Sequence, residues 1–306
     1  MKKCVVIYNP HSGKNMKKSF LAEMVDILLE HDYDPDIIFS KYKGHIKRIV
    51  SELENTVDLV ISIGGDGTFN EAMNGNLVRD KKILLAHIPL GTTNDVGKMF
   101  GYGKNVIANL HLLLNGEEKK MDVCTVNGKA FVYVAGFGKF MNVPYETKRD
   151  KKEKIGYLAY LVEGAKEVLQ ETRTYDITYE VDGVEYQGLY SFLLIGNATR
   201  IAGVNNIFYD VKLDDHRFEV LFCNLRKKQD IVKTLYYLRK TDITRVPGFY
   251  FHKTNHLKIT FHDSKVPNWC IDGEKLESDT NVFDISVVKN VRVMIPKKNT
   301  EKLFDK

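Results

Sequence analysis

One pattern constrains the fold of this chain more than any other, and its first third carries it three times. A short apolar run leads into a loop of glycine and small polar residues, and the loop leads into a helix. Leu59-Val60-Ile61-Ser62-Ile63 runs into Gly64-Gly65-Asp66-Gly67-Thr68, and Phe69-Asn70-Glu71-Ala72-Met73 then continues as a helix with Thr68 as its expected N-cap. Before it, Cys4-Val5-Val6-Ile7-Tyr8 leads into Asn9-Pro10-His11-Ser12-Gly13-Lys14, and Phe20, Leu21, Met24, Val25 and Leu28 follow at helical spacing. After it, Ile83-Leu84-Leu85-Ala86 leads into Ile88-Pro89-Leu90-Gly91-Thr92-Thr93-Asn94-Asp95, with Lys98 one helical turn further on. Apolar runs of this kind, joined by helices, indicate a parallel sheet covered on both faces. In an open parallel sheet such loops gather at the carboxyl edge of the strands, where ligands bind.

The loop chemistry suits phosphate. Glycines let the backbone approach a ligand closely, and a helix start offers N–H groups and the positive end of a dipole. Asp66 is the discordant member, because a carboxylate repels phosphate unless a metal ion or a hydroxyl stands between them. A phosphate cradle with an acid at its centre points to phosphoryl transfer, the bland alternative being a glycine-rich turn with an aspartate cap. Lys14 could meet phosphate as a point charge. The Walker pattern is absent, and so is GxGxxG after the first strand, which argues against a dinucleotide dehydrogenase. A strand is expected over residues 36–40, so the Ser40 hydroxyl could reach a nucleotide at the same edge. An amphipathic helix with Ile46, Ile49, Val50 and Leu53 follows it, and another with Ile107, Leu110, Leu113 and Leu114 ends at Asn115-Gly116.

Near residue 122 the pattern changes. Residues 123–126, Asn127-Gly128 and 130–134 read as a hairpin, as do 177–181, Asp182-Gly183 and 184–186. Further strands are expected at 189–195, 218–222 and 256–261, with helices near 155–170 and 228–240. The expected class is α/β, with a Rossmann-like parallel-sheet nucleotide domain over 1–122 and a mainly antiparallel domain over 123–290. Residues 291–295 form a last strand able to return to the first domain, and 296–306 are expected to be a charged, mobile tail. The chain has 306 residues and 43% hydrophobic content, enough for two cores. No apolar run approaches the roughly 20 residues that span a bilayer, and Met1-Lys2-Lys3 does not open a signal peptide. Cys4, Cys124, Cys223 and Cys270 lack metal-ligand spacing and are expected to be reduced and buried, as in a cytoplasmic protein. The balance of 45 Lys and Arg against 40 Asp and Glu is too even to suggest nucleic acid.

Asn-Pro-x-Ser-Gly-Lys, Gly-Gly-Asp-Gly-Thr and Gly-Thr-x-Asn-Asp, in this order, resemble the diacylglycerol kinase catalytic domain family, and among its members the soluble bacterial lipid kinases. Lys212-Leu213-Asp214-Asp215 and Ile271-Asp272-Gly273-Glu274 extend the resemblance over nearly the whole chain. It implies an ATP-dependent kinase acting on a lipid hydroxyl, most plainly diacylglycerol, and a β-sandwich as the second domain. It also implies Glu274 as general base, close to Asp66 across the interdomain cleft, although Asp272-Gly273 is a hairpin signal in its own right. Asn9, Pro10, Ser12, Gly13, Gly64, Gly65, Gly67, Thr68 and Thr92 would hold the ATP phosphates. Asp66 would help hold catalytic Mg2+ or orient the acceptor hydroxyl, with Asp95 as a second helper, and Lys14 and Lys98 would offset charge.

A structural Mg2+ would map to Lys212, Asp215 and Arg217. There His216-Arg217 replaces the glycine and aromatic residue of the relatives, and His216 stands where positive φ is favoured. Lys148, Arg149, Lys151, Lys152 and Lys154, beside Tyr157, Leu158, Tyr160, Leu161 and Val162, read either as a solvated loop or as a surface docking on anionic lipid at the inner face of the membrane. An exposed strand edge would allow a homodimer. Two other functions fit parts of the sequence. An NAD kinase explains Gly-Gly-Asp-Gly-Thr and Asn70-Glu71 but not the later motifs. A degenerate nucleotide-binding regulator is opposed by the joint presence of Asp66, Asp95 and Glu274.

Overall fold

The structure is a computed structural model that describes residues 1–12, 18–138, 173–201, 204–205, 208, 210–224, 248–277 and 279–305. Gly13, Lys14, the two helices expected near 155–170 and 228–240, and the basic cluster at 148–154 lie outside the described residues. The chain divides into two compact units, one of Met1–Asp122, Lys212–Asp215 and Lys289–Lys306, the other of Val123–Val211 and His216–Val288.

The first unit is doubly wound. Its elements run β1 (Lys2–Tyr8), α1 (Lys18–Glu30), β2 (Tyr33–Phe39), α2 (His45–Glu52), β3 (Leu59–Gly64), α3 (Asp66–Leu77), β4 (Leu84–Pro89), α4 (Asp95–Met99), α5 (Val106–Leu114) and the first half of β5 (Glu117–Val126). The four strands pair in parallel in the order β2-β1-β3-β4. Chain direction across the sheet reverses after β2. Right-handed crossovers therefore place α1 on one face and α2 and α3 on the other. β3 and β4 are buried along their whole length, which is why they read as unbroken apolar runs. β2 is the edge strand, half-exposed, and tolerates Pro35 for that reason.

The second unit is antiparallel and two-layered. Its strands are β6 (Lys129–Phe131), β7 (Val134–Gly138), β8 (Tyr175–Val181), β9 (Val184–Tyr190), β10 (Phe192–Gly196), the short pair β11 (Arg200–Ile201) and β12 (Val204–Asn205), β13 (Phe218–Cys223), β14 (Phe249–Thr254), β15 (His256–Phe261), β16 (Trp269–Ile271) and β17 (Glu274–Leu276). The long β18 (Val282–Ile295) comes last. One layer joins the start of β18 to β15, β8 and β9, with β5 and β6 beside it, and the other runs β14-β13-β10-β7-β16-β17. Alternate residues of both layers, among them Ile177, Tyr179, Leu257, Ile259 and Phe283 facing Phe137, Leu193, Phe218, Val220 and Trp269, meet in one core. The expected fold class, a parallel α/β part with a separate antiparallel β part, is the one observed.

Three sequence expectations need correction. Residues 130–134 are not one strand: the chain leaves the first layer at Phe131 and enters the second at Val134. The run 189–195 likewise breaks at Ser191, where β9 gives way to β10 in the other layer. Both breaks pass through buried residues, so hydropathy does not mark them. The tail is not loose. The end of β18 lies parallel to β4, pairing Val293 with Leu85 and Met294 with Ala86. A 3-10 turn (Lys297–Asn299) and the short α6 (Thr300–Leu303) follow it. Leu303 and Phe304 are buried, Leu213 N–H donates to Leu303 O at 2.7 Å, and Asn299 Nδ2 donates to Met99 O at 2.9 Å. Two buried apolar residues and these hydrogen bonds together dock a charged segment.

Candidate active site

At the carboxyl edge of the first unit's sheet, the three loops are tied to one another by a small set of bonds. Asn9, just past β1, donates from Nδ2 to Thr68 Oγ1 at 3.0 Å, and its N–H donates to Ile63 O at 3.0 Å. Ser12 turns back onto the same loop, its Oγ donating to Asn9 O at 2.8 Å. Leu90 N–H donates to Gly64 O, linking the loops after β3 and β4. There the backbones nearly touch: a Cβ added to Gly91 would stand 2.6 Å from Gly65 Cα. Only glycine allows that approach.

Asp66 connects the loops through its side chain. Its carboxylate accepts from Asp95 N–H and Val96 N–H, each at 3.0 Å, and so caps α4 from the first turn of α3. α3 begins at Asp66, with Gly65 in the N-cap position, three residues earlier than the expected Thr68 cap. Thr68 is instead buried in the first turn, holding Asn9.

The loop after β4 is shaped by Asn94, a residue the sequence reading did not single out. At φ 52 it precedes α4, its Oδ1 accepts from Gly91 N–H and its Nδ2 donates to Gly91 O, both at 2.7 Å. The signal was present, because an asparagine between a Gly-Thr-Thr turn and a helix start is the usual side-chain substitute for a backbone turn. Thr92 and Lys98 are exposed on this loop and on α4, and Asp95 is buried at the helix start. Ser40 is buried directly after β2, its N–H donating to Tyr8 O at 2.9 Å. Glu71 was also overlooked as a structural residue. From α3 its carboxylate accepts from Gly44 N–H at 2.9 Å and Ile46 N–H at 3.2 Å, capping α2. α3 thus carries two acids that fix the starts of two neighbouring helices. Asn9, Ser12, Ser40, Gly64, Gly65, Gly67, Thr68, Thr92, Asp66, Asp95 and Lys98 all stand on the loops and helix starts of this edge.

In the second unit, Glu274 is the first residue of β17, exposed directly after the Asp272-Gly273 turn. That turn has φ 48 and φ 81, two left-handed residues closing β16 on β17. Lys212 and Asp215 belong to the first unit and Arg217 to the second. Lys212 Nζ pairs with Asp305 at 3.0 Å, and the Asp214 carboxylate accepts from Asp305 N–H. His216 has φ 63, so this position does require the left-handed region. Among the described residues no group of three or more His, Cys, Asp or Glu side chains stands together as a metal site. No helix among them is long and apolar enough to cross a membrane.

Comparison with known proteins places this architecture. Residues 3–126 match the diacylglycerol kinase catalytic domain. A diacylglycerol kinase of Bacillus subtilis (strain 168) is 26% identical over 307 aligned residues, covering 100% of both chains. One of Staphylococcus epidermidis is 28% identical over 274 residues, covering 89% of this chain and 86% of its own. A solved structure from Bacillus anthracis superposes with a TM-score of 0.82 at 24% identity, covering 97% of this chain and 96% of its own. A second, described as a diacylglycerol kinase, gives 0.75 at 21% identity. These structures speak to the fold alone. These likenesses point to the class of the lipid kinases. Residues 3–126 are similar to the diacylglycerol kinase catalytic domain, and similarity to bacterial diacylglycerol kinases runs the full length of the chain.

Proposed function

We infer that the chain transfers the γ-phosphoryl group of ATP to the hydroxyl of a membrane lipid, diacylglycerol being the acceptor that its relatives' names indicate. The observation that supports this best is the tied set of loops, in which Asp66 caps α4 while Gly65 and Gly91 bring their backbones together. Such a cradle suits phosphates, because glycine backbone and helix-start N–H groups meet the oxygens without intervening side chains. Phosphoryl transfer requires chiefly positioning and neutralised charge. The start of α3 would supply a positive dipole end, with Asn9, Ser12, Thr68 and Thr92 as hydrogen-bonding neighbours and Lys98 as a cation. Lys14 joins them from the sequence alone.

Glu274 is assigned as the base that takes the proton from the acceptor hydroxyl. Its exposed side chain at the head of a tight hairpin leaves it open to substrate. The Asp66 carboxylate suits a hard cation such as Mg2+, which ordinarily takes only one or two carboxylates and completes its shell with phosphate oxygens and water. When bound, such an ion offsets charge on the β- and γ-phosphates. Lys212, Asp215 and Arg217 gather no comparable support. Contact with lipid would be peripheral, from the cytoplasmic side of the membrane.

The test is transfer of labelled γ-phosphate from ATP in mixed micelles with Mg2+. The acceptors are diacylglycerol, phosphatidylglycerol, undecaprenol, sphingosine and NAD. Label on diacylglycerol is the expected result. Label on another lipid alone would move the substrate, and label on NAD alone would overturn the reading.

A further inference from the structure

Three two-residue turns in the second unit have the same backbone shape: Asn127-Gly128 (φ 48, 77), Asp182-Gly183 (φ 51, 80) and Asp272-Gly273 (φ 48, 81). Asparagine and aspartate serve equally well in such a turn, so the turn by itself does not require an acid at 272. The side chains differ. Those of Asn127 and Asp182 are exposed, and each accepts one hydrogen bond, from Asp284 N–H and Thr254 Oγ1 respectively. Asp272 is buried. Its carboxylate accepts from three consecutive backbone groups, Val132 N–H at 2.7 Å, Tyr133 N–H at 3.1 Å and Val134 N–H at 3.0 Å. Its own N–H donates to Val134 O at 2.8 Å. Those three residues are the segment where the chain crosses from β6 to β7, and β7 pairs with β16. The hairpin bearing Glu274 is therefore fastened by one buried carboxylate to the corner of the sandwich. Charge-assisted bonds of this kind are shorter and roughly twice as strong as neutral ones.

We propose that Asp272 is a positioning residue for phosphoryl transfer, its carboxylate holding the crossover at 132–134 and so fixing where Glu274 stands. The proposal rests on the assignment of Glu274 as base. Asp272→Asn isolates it. The turn dihedrals remain acceptable to asparagine, but an amide offers one oxygen. Whichever way it is turned, its NH2 faces a backbone N–H that previously had an acceptor.

The experiment measures steady-state transfer from ATP to diacylglycerol for the full chain, with Asp182→Asn as the control for an equivalent turn. Asp272→Asn is expected to lower kcat by about 10- to 100-fold, in line with the cost of displacing a catalytic group by an ångström. The KM for ATP should stay within about twofold, because the cradle lies on other elements. Placed in a Glu274→Ala background, the same substitution should cause no further fall, since a positioning residue has nothing left to position. Asp182→Asn should be silent. Trp269, the chain's single tryptophan, is buried on β16 three residues before Asp272, and its emission reports whether the hairpin is still packed. If that emission shows an unfolded Asp272→Asn chain, Asp272→Glu keeps the charge, shifts the hairpin by a methylene and is judged by the same two criteria. A kcat within twofold of the parent overturns the proposal, and so does a fall that adds to that of Glu274→Ala. If Glu274→Ala itself transfers at the parent rate, the base assignment fails and the proposal falls with it.

Discussion

At the scale of single residues, the site separates two kinds of carboxylate that the motifs present alike. Asp66 holds two backbone N–H groups of a neighbouring helix, whereas Glu274 is exposed at a strand start. Asp66→Ala should therefore lower activity and also remove about 1–2 kcal/mol of unfolding free energy, the usual worth of a helix cap. Glu274→Ala should lower kcat by roughly 10²–10⁴-fold, the span of general acid–base catalysis, with a smaller change in unfolding free energy than Asp66→Ala. Kinetics and urea unfolding on the same two samples check both. Gly91→Ala tests the closure of the cradle: its Cβ would press on Gly65 Cα and on Asn94 Oδ1 at 2.8 Å. An overpacking cost of about 1–3 kcal/mol and weaker ATP binding by calorimetry are expected. His87 carries the pH dependence. It is buried on β4 against Phe69, with Nδ1 3.0 Å from Ser62 Oγ, and burial lowers its pKa to about 3, partly opposed by the Ser62 carbonyl. Because the folded pKa lies below the unfolded one, its contribution is complete above about pH 6.5 and is lost as pH falls towards 3. His87→Phe should flatten the fall in stability between about pH 6.5 and 4.5, measured by urea unfolding at each pH.

At the scale of elements, the docked terminus is the clearest case of a structure that local sequence conceals. Residues 296–306 are mostly charged and carry no long apolar period, yet Leu303 and Phe304 are buried and a backbone bond ties the segment to Leu213. Leu303→Ala should cost about 2–5 kcal/mol; a change below about 0.5 kcal/mol in urea unfolding would mean that the segment is not seated. The repeated strand–loop–helix pattern was legible because β3 and β4 are buried on both faces and their loops must turn at one edge. The hairpins at Asn127-Gly128 and Asp182-Gly183 were legible because their dihedrals demand those residues. The crossings at Val132-Tyr133 and Ser191 were not. A strand that changes layers stays buried throughout, so alternation carries no mark of the change. Glu71 and the buried carboxylate of Asp272 were missed for a related reason: each works through long-range bonds to backbone that no spacing rule encodes, whereas Asn94 closes a local turn onto Gly91.

At the scale of the whole molecule, a doubly wound unit carries Asp66 and the tied loops and an antiparallel sandwich carries Glu274, while all four cysteines are buried thiols. Burial drives the Cys4 thiol up to about 12 and raises that of Cys223 as well, so the native chain should resist thiol reagents and expose four reactive groups only on unfolding. The likeness to bacterial diacylglycerol kinases extends over both units, and in the proposed reading one binds the donor and the other presents the base. The measurement that tests this most directly is the rate of labelled γ-phosphate transfer from ATP to diacylglycerol, compared between the parent chain and Glu274→Ala while ATP binding is followed on the same samples. The expected result is labelled lipid from the parent, a loss of at least about a hundredfold in the variant, and equal ATP binding in both. Equal transfer by the two chains, or ATP binding with no label on any lipid, would contradict the assignment.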